Sequence, residues 1–310
     1  LSKGDRRKGP EYETIVGFGP NLEISDLGKI TQLAELCDRY GMDTISLSNV
    51  IGLLTLLYQE EIITERETEG LQLKWGDPEM TEKLIHLTAR REGIGKVAAR
   101  GARWVADHFG VPGMAAQVNG LEIAYHDPRG LSGMAVVYAT SPRGACHNQS
   151  DYYMVDAWSL TEEGLGIEKF GRQVGPEKAK NIALHQNWRT VSNSLVVCIL
   201  PSPPVETLQE LLTQVTGMKL NKKSLMKIGE RGWNLKRLIN LRLGLTMKAE
   251  KLPDLLLKPL EDGAAANYTL PFVEMMEAYY SARSWDKESG FPKSEKLEEL
   301  GLVEYDHRIG

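Results

Sequence analysis

The segment Ser25–Tyr40, SDLGKITQLAELCDRY, places Leu27, Ile30, Leu33, Leu36 and Tyr40 at the spacing of one helix face. Either Ser25 or Asp26 caps its start, and Gly41 supplies a stop. A second apolar helix is expected over roughly Leu47–Glu60. Asp77-Pro78 opens another, a cap followed by proline at the first helical position; Gly93 and Gly95 break it, and a further helix runs to His108. Between Val111 and Asp151 the chain becomes glycine-rich, with short apolar pieces and the turn Asp127-Pro128-Arg129-Gly130. Helices resume over roughly Pro176–Leu200, Pro204–Val215, Lys223–Leu243, Pro271–Ser284 and Lys293–Leu300. Strand-like alternation is scarce, and no fixed-period repeat appears. The pattern specifies a mainly α fold in two helical lobes, residues 1–117 and 118–310.

Composition narrows the function classes. The 310 residues suffice for two domains, and 42% hydrophobic with 25% charged residues is ordinary for a globular protein. A net charge of −5 without a long basic stripe argues against nucleic acid as the main partner. The longest apolar runs, VIGLLTLLY from Val50 and SLVVCIL from Ser194, are too short to span a bilayer. Cys37, Cys146 and Cys198 are far apart and odd in number, which suits a reducing, cytoplasmic setting rather than a disulfide framework. Without a CxxC pair, the chain's own cysteines cannot build a zinc or iron–sulfur site. The chain starts at Leu1 with no apolar leader core, so it is expected to be processed or to lack its beginning.

Four segments carry chemistry. In Cys37-Asp38-Arg39-Tyr40-Gly41-Met42-Asp43, Asp38 falls in the last helical turn, where a carboxylate opposes the helix dipole. Gly41 permits close backbone approach to a planar ligand. Asp38 and Asp43 either accept hydrogen bonds from a ring amine and ring N–H or are solvated acids at a helix end. In Gly9-Pro10-Glu11-Tyr12-Glu13-Thr14, a buried carboxylate becomes a usable proton carrier, whereas an exposed one is ordinary surface. In YATSPRGACHNQS, from Tyr138, Ser141-Pro142 starts a turn and His147 sits in a polar loop, unlike His86 and His185 in helical patterns or His126 in a turn. Cys146 beside it lacks a partnered base and orienter, which argues against a cysteine hydrolase. Cys198 ends the apolar run Leu195-Val196-Val197.

As an ordered set, GPEYET, ISDL, DRYGMDTIS, ARREGIG, GLEIAYHDPRG, YATSPRGACH, SLVVC and the final YYSARSWDKESGFPKSEKLEELGL resemble the tungsten-containing aldehyde:ferredoxin oxidoreductase family. The resemblance runs from about Gly9 to Tyr305 and implies the second and third, helical domains of that fold. It implies a β-rich cofactor-base domain with three cluster cysteines upstream, absent from this chain, so the chain alone is expected to be inactive. It implies a tungsten or molybdenum bis-pterin next to a [4Fe–4S] cluster. By the same likeness, Asp38, Gly41 and Asp43 bind one pterin, and Asn193 and Val197 approach the second. Cys198 is the fourth cluster ligand, with Leu195-Val196-Val197 shielding it from water. Glu13 is the buried carboxylate near tungsten, and His147 the second acid/base group. The implied reaction oxidises aldehydes with water and passes electrons to ferredoxin or an electron-transfer subunit; family members are often homo-oligomers. The family's second pterin motif is D-x-x-G-L-C, but here the stretch reads NSLVVC. Asn193 accepts a hydrogen bond without charge, and Val196 hinders backbone approach where glycine is expected. This departure leaves two alternatives open: a tungsten reductase branch acting on an aromatic acyl-CoA, and a helical scaffold that has lost the chemistry.

Overall fold

Helix boundaries in the computed structural model, which describes residues 7–201 and 203–306, fall where cap chemistry puts them. After α1 (Tyr12–Phe18), α2 (Leu27–Tyr40) starts under Asp26, whose Oδ1 accepts the N–H groups of Gly28 and Lys29 at 2.7 and 3.2 Å. Asp43 caps α3 (Thr44–Gln59) by accepting Ser46 N–H at 2.7 Å, and Asp77 caps α4 (Pro78–Arg90) through Met80 N–H at 2.9 Å. The helix expected to continue to His108 is instead two pieces, α5 (Gly95–Ala98) and α6 (Ala102–His108), because Gly101 between them adopts φ +87°. Buried Glu122 accepts the Ala102 N–H at 2.6 Å, which satisfies the start of α6. Two-residue strands β1 (Gln117–Val118) and β2 (Leu121–Glu122) pair antiparallel.

The chain forms two compact units. The first holds the described residues through Tyr125 together with Pro253–Leu256; the second holds His126–Leu252 and the described residues from Leu257. The division falls beyond the expected 117/118 boundary because the stretch after β2 is tied to α3 and α1. Asn49 Nδ2 donates to Ile123 O at 3.1 Å, the Ser48 and Tyr125 hydroxyls bond at 2.7 Å, and Tyr125 N–H donates to Glu13 Oε2 at 2.8 Å. The core of the first unit surrounds α3, whose Leu47, Val50, Ile51, Leu54 and Leu57 pack with Phe18, Leu22, Leu33, Leu84 and Val105. This explains why α3 is apolar nearly all round. It meets α2 at a 114° bend, and among the described residues no single helix is long and apolar enough to cross a membrane.

The second unit contains α7 (Gly133–Thr140), α8 (Tyr152–Trp158), α9 (Ala179–Ser194), α10 (Val205–Thr216), α11 (Lys222–Arg242), α13 (Phe272–Arg283) and α14 (Ser294–Leu300), whereas the short α12 (Asp254–Leu257) falls in the first unit up to Leu256. The sequence reading anticipates α9–α11, α13 and α14, but not α7 or α8. All eight residues of α7 are buried, so no polar face marks its period. Helix α9 ends at Ser194 rather than Leu200. It packs against α11 and α13. Gly229 of α11 lies so close to the Asn187 backbone that a Cβ there would collide with the carbonyl oxygen. Gly229→Ala should therefore lose more by overpacking, about 1–3 kcal/mol, than it gains in helix propensity; a lower midpoint in urea unfolding is the expected result.

Candidate functional site

In the first unit, the α2–α3 corner gathers three sequence-predicted residues. Met42 N–H donates to Cys37 O at 3.0 Å and Gly41 N–H to Asp38 O at 3.2 Å, the two bonds of a Schellman cap. Gly41 closes it at φ +67°, and a Cβ there would meet nothing within 4 Å, so this face of the turn is open. Asp38 is exposed and pairs loosely with Lys8, Nζ to Oδ2 at 3.5 Å. Asp43 caps α3 and also lines the cleft that Asp38 borders, about 450 Å³, together with Arg7, Lys8, Glu11 and Thr14. Cys37 beneath is buried, and burial, then the charges of Asp38 and Asp43, push its thiol up to about 12. It stays protonated and inert. A hydroxyl bond between Thr14 and Thr44, 2.7 Å, ties α1 to the start of α3. Glu13 is the neighbour of Thr14, half-buried, with Oε2 held by Tyr125 N–H at 2.8 Å.

In the second unit the loop after α7 is folded and anchored. Cys146 N–H donates to Gly144 O at 2.6 Å, and Gly144 sits at φ +90°. Helix α11 holds the loop from outside: Asn240 Nδ2 donates to Pro142 O at 2.6 Å, and Lys236 Nζ to Gln149 Oε1 at 3.0 Å. His147 begins a three-residue 3₁₀ turn, His147–Gln149, and is half-buried. Behind it, Ser150 Oγ bonds His185 Nδ1 at 2.8 Å. Burial, then the charge of Arg189, pushes the His185 imidazole down to about 3, so it stays neutral. Asp151 is buried and forms an ion pair with Arg189, Oδ2 to Nε at 2.6 Å. Its carboxyl is nevertheless pushed up to about 6, because burial outweighs the pull of Arg189 and His126. The sequence reading left His126 in a turn. The structure buries it, with its ring stacked on Tyr153 at 3.8 Å between centroids and 8° between planes. The His147 ring lies 5.6 Å from that of His126. Nothing in the local pattern signals this, since Tyr153 lies far along the chain on α8.

The end of α9 repeats the hydrogen bonding of the α2 corner with different residues. Val197 N–H donates to Ser192 O at 3.0 Å and Val196 N–H to Asn193 O at 3.2 Å, again a Schellman cap. Asn193 corresponds to Asp38, Val196 to Gly41 and Cys198 to Asp43. The residue in the left-handed position is therefore a β-branched valine, Val196, at φ +56°. It is 91% exposed, as Leu200 is at 80%, and Cys198 is exposed with them. The expected shielding of Cys198 by its apolar neighbours is thus not found within this chain: the turn throws Val196 and Cys198 outward.

Residues 1–302 match the family described as "Aldehyde ferredoxin oxidoreductase, domains 2 & 3". The chain belongs to the aldehyde ferredoxin oxidoreductase family. It is 33% identical over 303 residues to a tungsten-containing aldehyde ferredoxin oxidoreductase of Pyrococcus furiosus, covering 96% of this chain and 49% of that protein. It is 29% identical over 321 residues to an aliphatic sulfonate oxidoreductase, WOR-like subunit, of the same organism, covering 97% of this chain and 47% of that protein. The chain thus spans about half the length of the relatives it matches. Among solved structures, the active site complex BamBC of benzoyl coenzyme A reductase superposes with a TM-score of 0.73 at 18% identity, over 96% of this chain and 49% of that one. At that identity the likeness establishes the fold alone.

Within this aldehyde ferredoxin oxidoreductase family member, the two helix-end turns differ in strain as well as charge. A left-handed residue with a Cβ costs about 1–2 kcal/mol, and Val196 is too exposed to recover that by packing. Val196→Gly should raise stability by roughly 0.5–1 kcal/mol once the extra freedom of glycine in the unfolded chain is subtracted. A higher denaturant midpoint with an unchanged slope is the expected readout.

Proposed function

We propose that this chain supplies the cofactor-facing turns and the proton-handling groups of a tungsten-pterin oxidoreductase that oxidises aldehydes to carboxylic acids. The observation that carries this reading is the duplicated helix-end turn, which presents an outward carboxylate or amide at one position and an outward Asp43 or Cys198 at another. The residues fit the group. Asp38 and Asp43 border a cleft of about 450 Å³ beside the open face of Gly41, suited to the amine and N–H donors of a pterin. Asn193 offers a neutral amide and Val197 its backbone at the second turn. Cys198 is an exposed thiol free to ligate a cluster whose other ligands come from elsewhere. When bound, the tungsten pterin and the iron–sulfur cluster supply the two-electron chemistry and the electron exit, with ferredoxin as acceptor.

The chain's own task is protons. Oxidising an aldehyde with water, RCHO + H₂O → RCOOH + 2 H⁺ + 2 e⁻, releases two protons for every electron pair. Glu13 takes one from the attacking water; its Oε2 is held by a backbone N–H, which fixes the carboxylate's orientation. His147 orients the substrate oxygen and takes the other. The loop that carries it is anchored to α11 at Pro142 and Gln149 and needs no rearrangement at the moment of reaction. A reductase reading, with an acyl thioester as substrate, is favoured by one observation: the α9 turn has lost both the carboxylate and the glycine that the α2 turn keeps. A panel of aldehydes against aromatic acyl-CoA esters separates the two.

In the cofactor-loaded enzyme, Glu13→Gln and His147→Ala should each lower turnover by about 10²–10⁴-fold with tungsten content unchanged. Wild-type rates in both variants contradict the assignment. Cys198→Ser should lower the iron content of anaerobically purified enzyme; unchanged iron removes Cys198 from the cluster.

A further inference from the structure

An acid/base group works only while its ring nitrogen stays aimed, and misplacement of about 1 Å costs up to a hundredfold in rate. His147 sits in a turn of only three residues. The bonds that tie its loop down are made by the side chains of Gln149 and Ser150. What lies against the ring is a pair of aromatic planes. His126 and Tyr153 stack within 8° of parallel and so form one flat plate. The His147 ring meets both members at nearly the same tilt, 53° to His126 at 5.6 Å and 51° to Tyr153 at 6.2 Å.

The plate is braced on every member. The Tyr138 hydroxyl, itself buried, donates to the His126 carbonyl oxygen at 3.3 Å. Trp158 at the end of α8 meets Tyr153 edge-on, 5.7 Å and 81°. Asp151, locked to Arg189 of α9, lies near enough to His126 for the imidazole to act on its carboxyl. His126 itself is 7% exposed, so its position is set by packing rather than by solvent. We propose that His126 is a positioning residue: stacked on Tyr153, it forms the rigid plate that sets the orientation of the His147 ring. This rests on the reading of His147 as an acid/base group.

The test compares leucine with phenylalanine at both positions of the plate, in the cofactor-loaded enzyme. Tyr153→Leu and His126→Leu remove a flat ring; Tyr153→Phe and His126→Phe keep one. The leucine variants should lose kcat by about ten- to a hundredfold with KM changed less than about twofold, and the phenylalanine variants should recover most of that loss. Wild-type kcat in both leucine variants overturns the proposal. So does a His126→Phe variant as slow as His126→Leu, since His126 would then act through its own proton. A second readout needs no turnover: the rate at which diethyl pyrocarbonate modifies His147, resolved by peptide mass spectrometry. It should change in the leucine variants and return in the phenylalanine ones; an unchanged rate overturns the plate. If instead the labelling responds while His147→Ala retains full activity, the plate stands and the acid/base reading of His147 falls.

Discussion

A buried arginine fixes the helix on which much of the second unit's site chemistry hangs. Arg283 is 1% exposed, near the end of α13, and its guanidinium donates into α9: to Ala183 O at 3.0 Å, to Gln186 Oε1 at 2.6 Å and to Asn187 Oδ1. Its Nε donates to the Tyr279 hydroxyl at 3.0 Å, which donates in turn to Gln186 Oε1 at 2.6 Å. These acceptors are all neutral. The charge is therefore compensated by dipoles and by the faces of Trp233 and Tyr279, each 5.3 Å from the guanidinium carbon. A buried cation held this way tolerates no shift of α9, because each displaced acceptor would leave a charged donor unsatisfied. From that fixed helix, His185 and Arg189 reach the Ser150–Asp151 segment, and the C-terminal turn presents Asn193 and Cys198.

The two helix-end turns show what backbone hydrogen bonding specifies and what it leaves open. A Schellman cap fixes where the chain leaves a helix and which residues face outward, with strain where the left-handed residue carries a Cβ. At the α2 end that frame carries Asp38, Gly41 and Asp43, so two carboxylates flank an open turn. At the α9 end it carries Asn193, Val196 and Cys198: a neutral amide, a strained side chain and a thiol. The first turn suits a ring rich in N–H donors. The second suits contact with an apolar surface and a soft metal centre. One backbone geometry thus carries different side-chain chemistry at the two helix ends.

Much of the frame was legible in the sequence, and what was not has a consistent cause. Helices α2, α4, α10 and α11 have one polar face and clear end signals, so their periodicity survives in the residue order. Helix α7 has no exposed residue, and GMAVVYAT reads as a short apolar run. The grouping of Asp38, Gly41 and Asp43 was legible because it is local. The place of His147 in a loop, unlike His86 and His185 within helices, was legible for the same reason. His126 was not, because its surroundings are built by contacts across the chain: a stacking partner on α8 and a hydroxyl from α7. The outward position of Cys198 was also hidden, since an apolar run ordinarily signals burial. Only the turn geometry at Val196 reverses that reading.

The sequence YATSPRGACHNQS resolves on the same reasoning. Its polar residues do not float as a solvated loop. Pro142 and Gln149 offer oxygens to α11, Ser150 bonds a neutral histidine of α9, and Asp151 is locked by an arginine of the same helix. Each tie consumes a group that would otherwise need water, which lets Ala145, Cys146 and Ser150 be buried at little cost. His147 is left half-buried within this rigid surround, as Pro142 and Gln149 are. A loop held from two helices by side-chain bonds to its backbone and polar tips is a pre-organised one. On the proposed reading of His147, binding need not supply the entropy of ordering this loop.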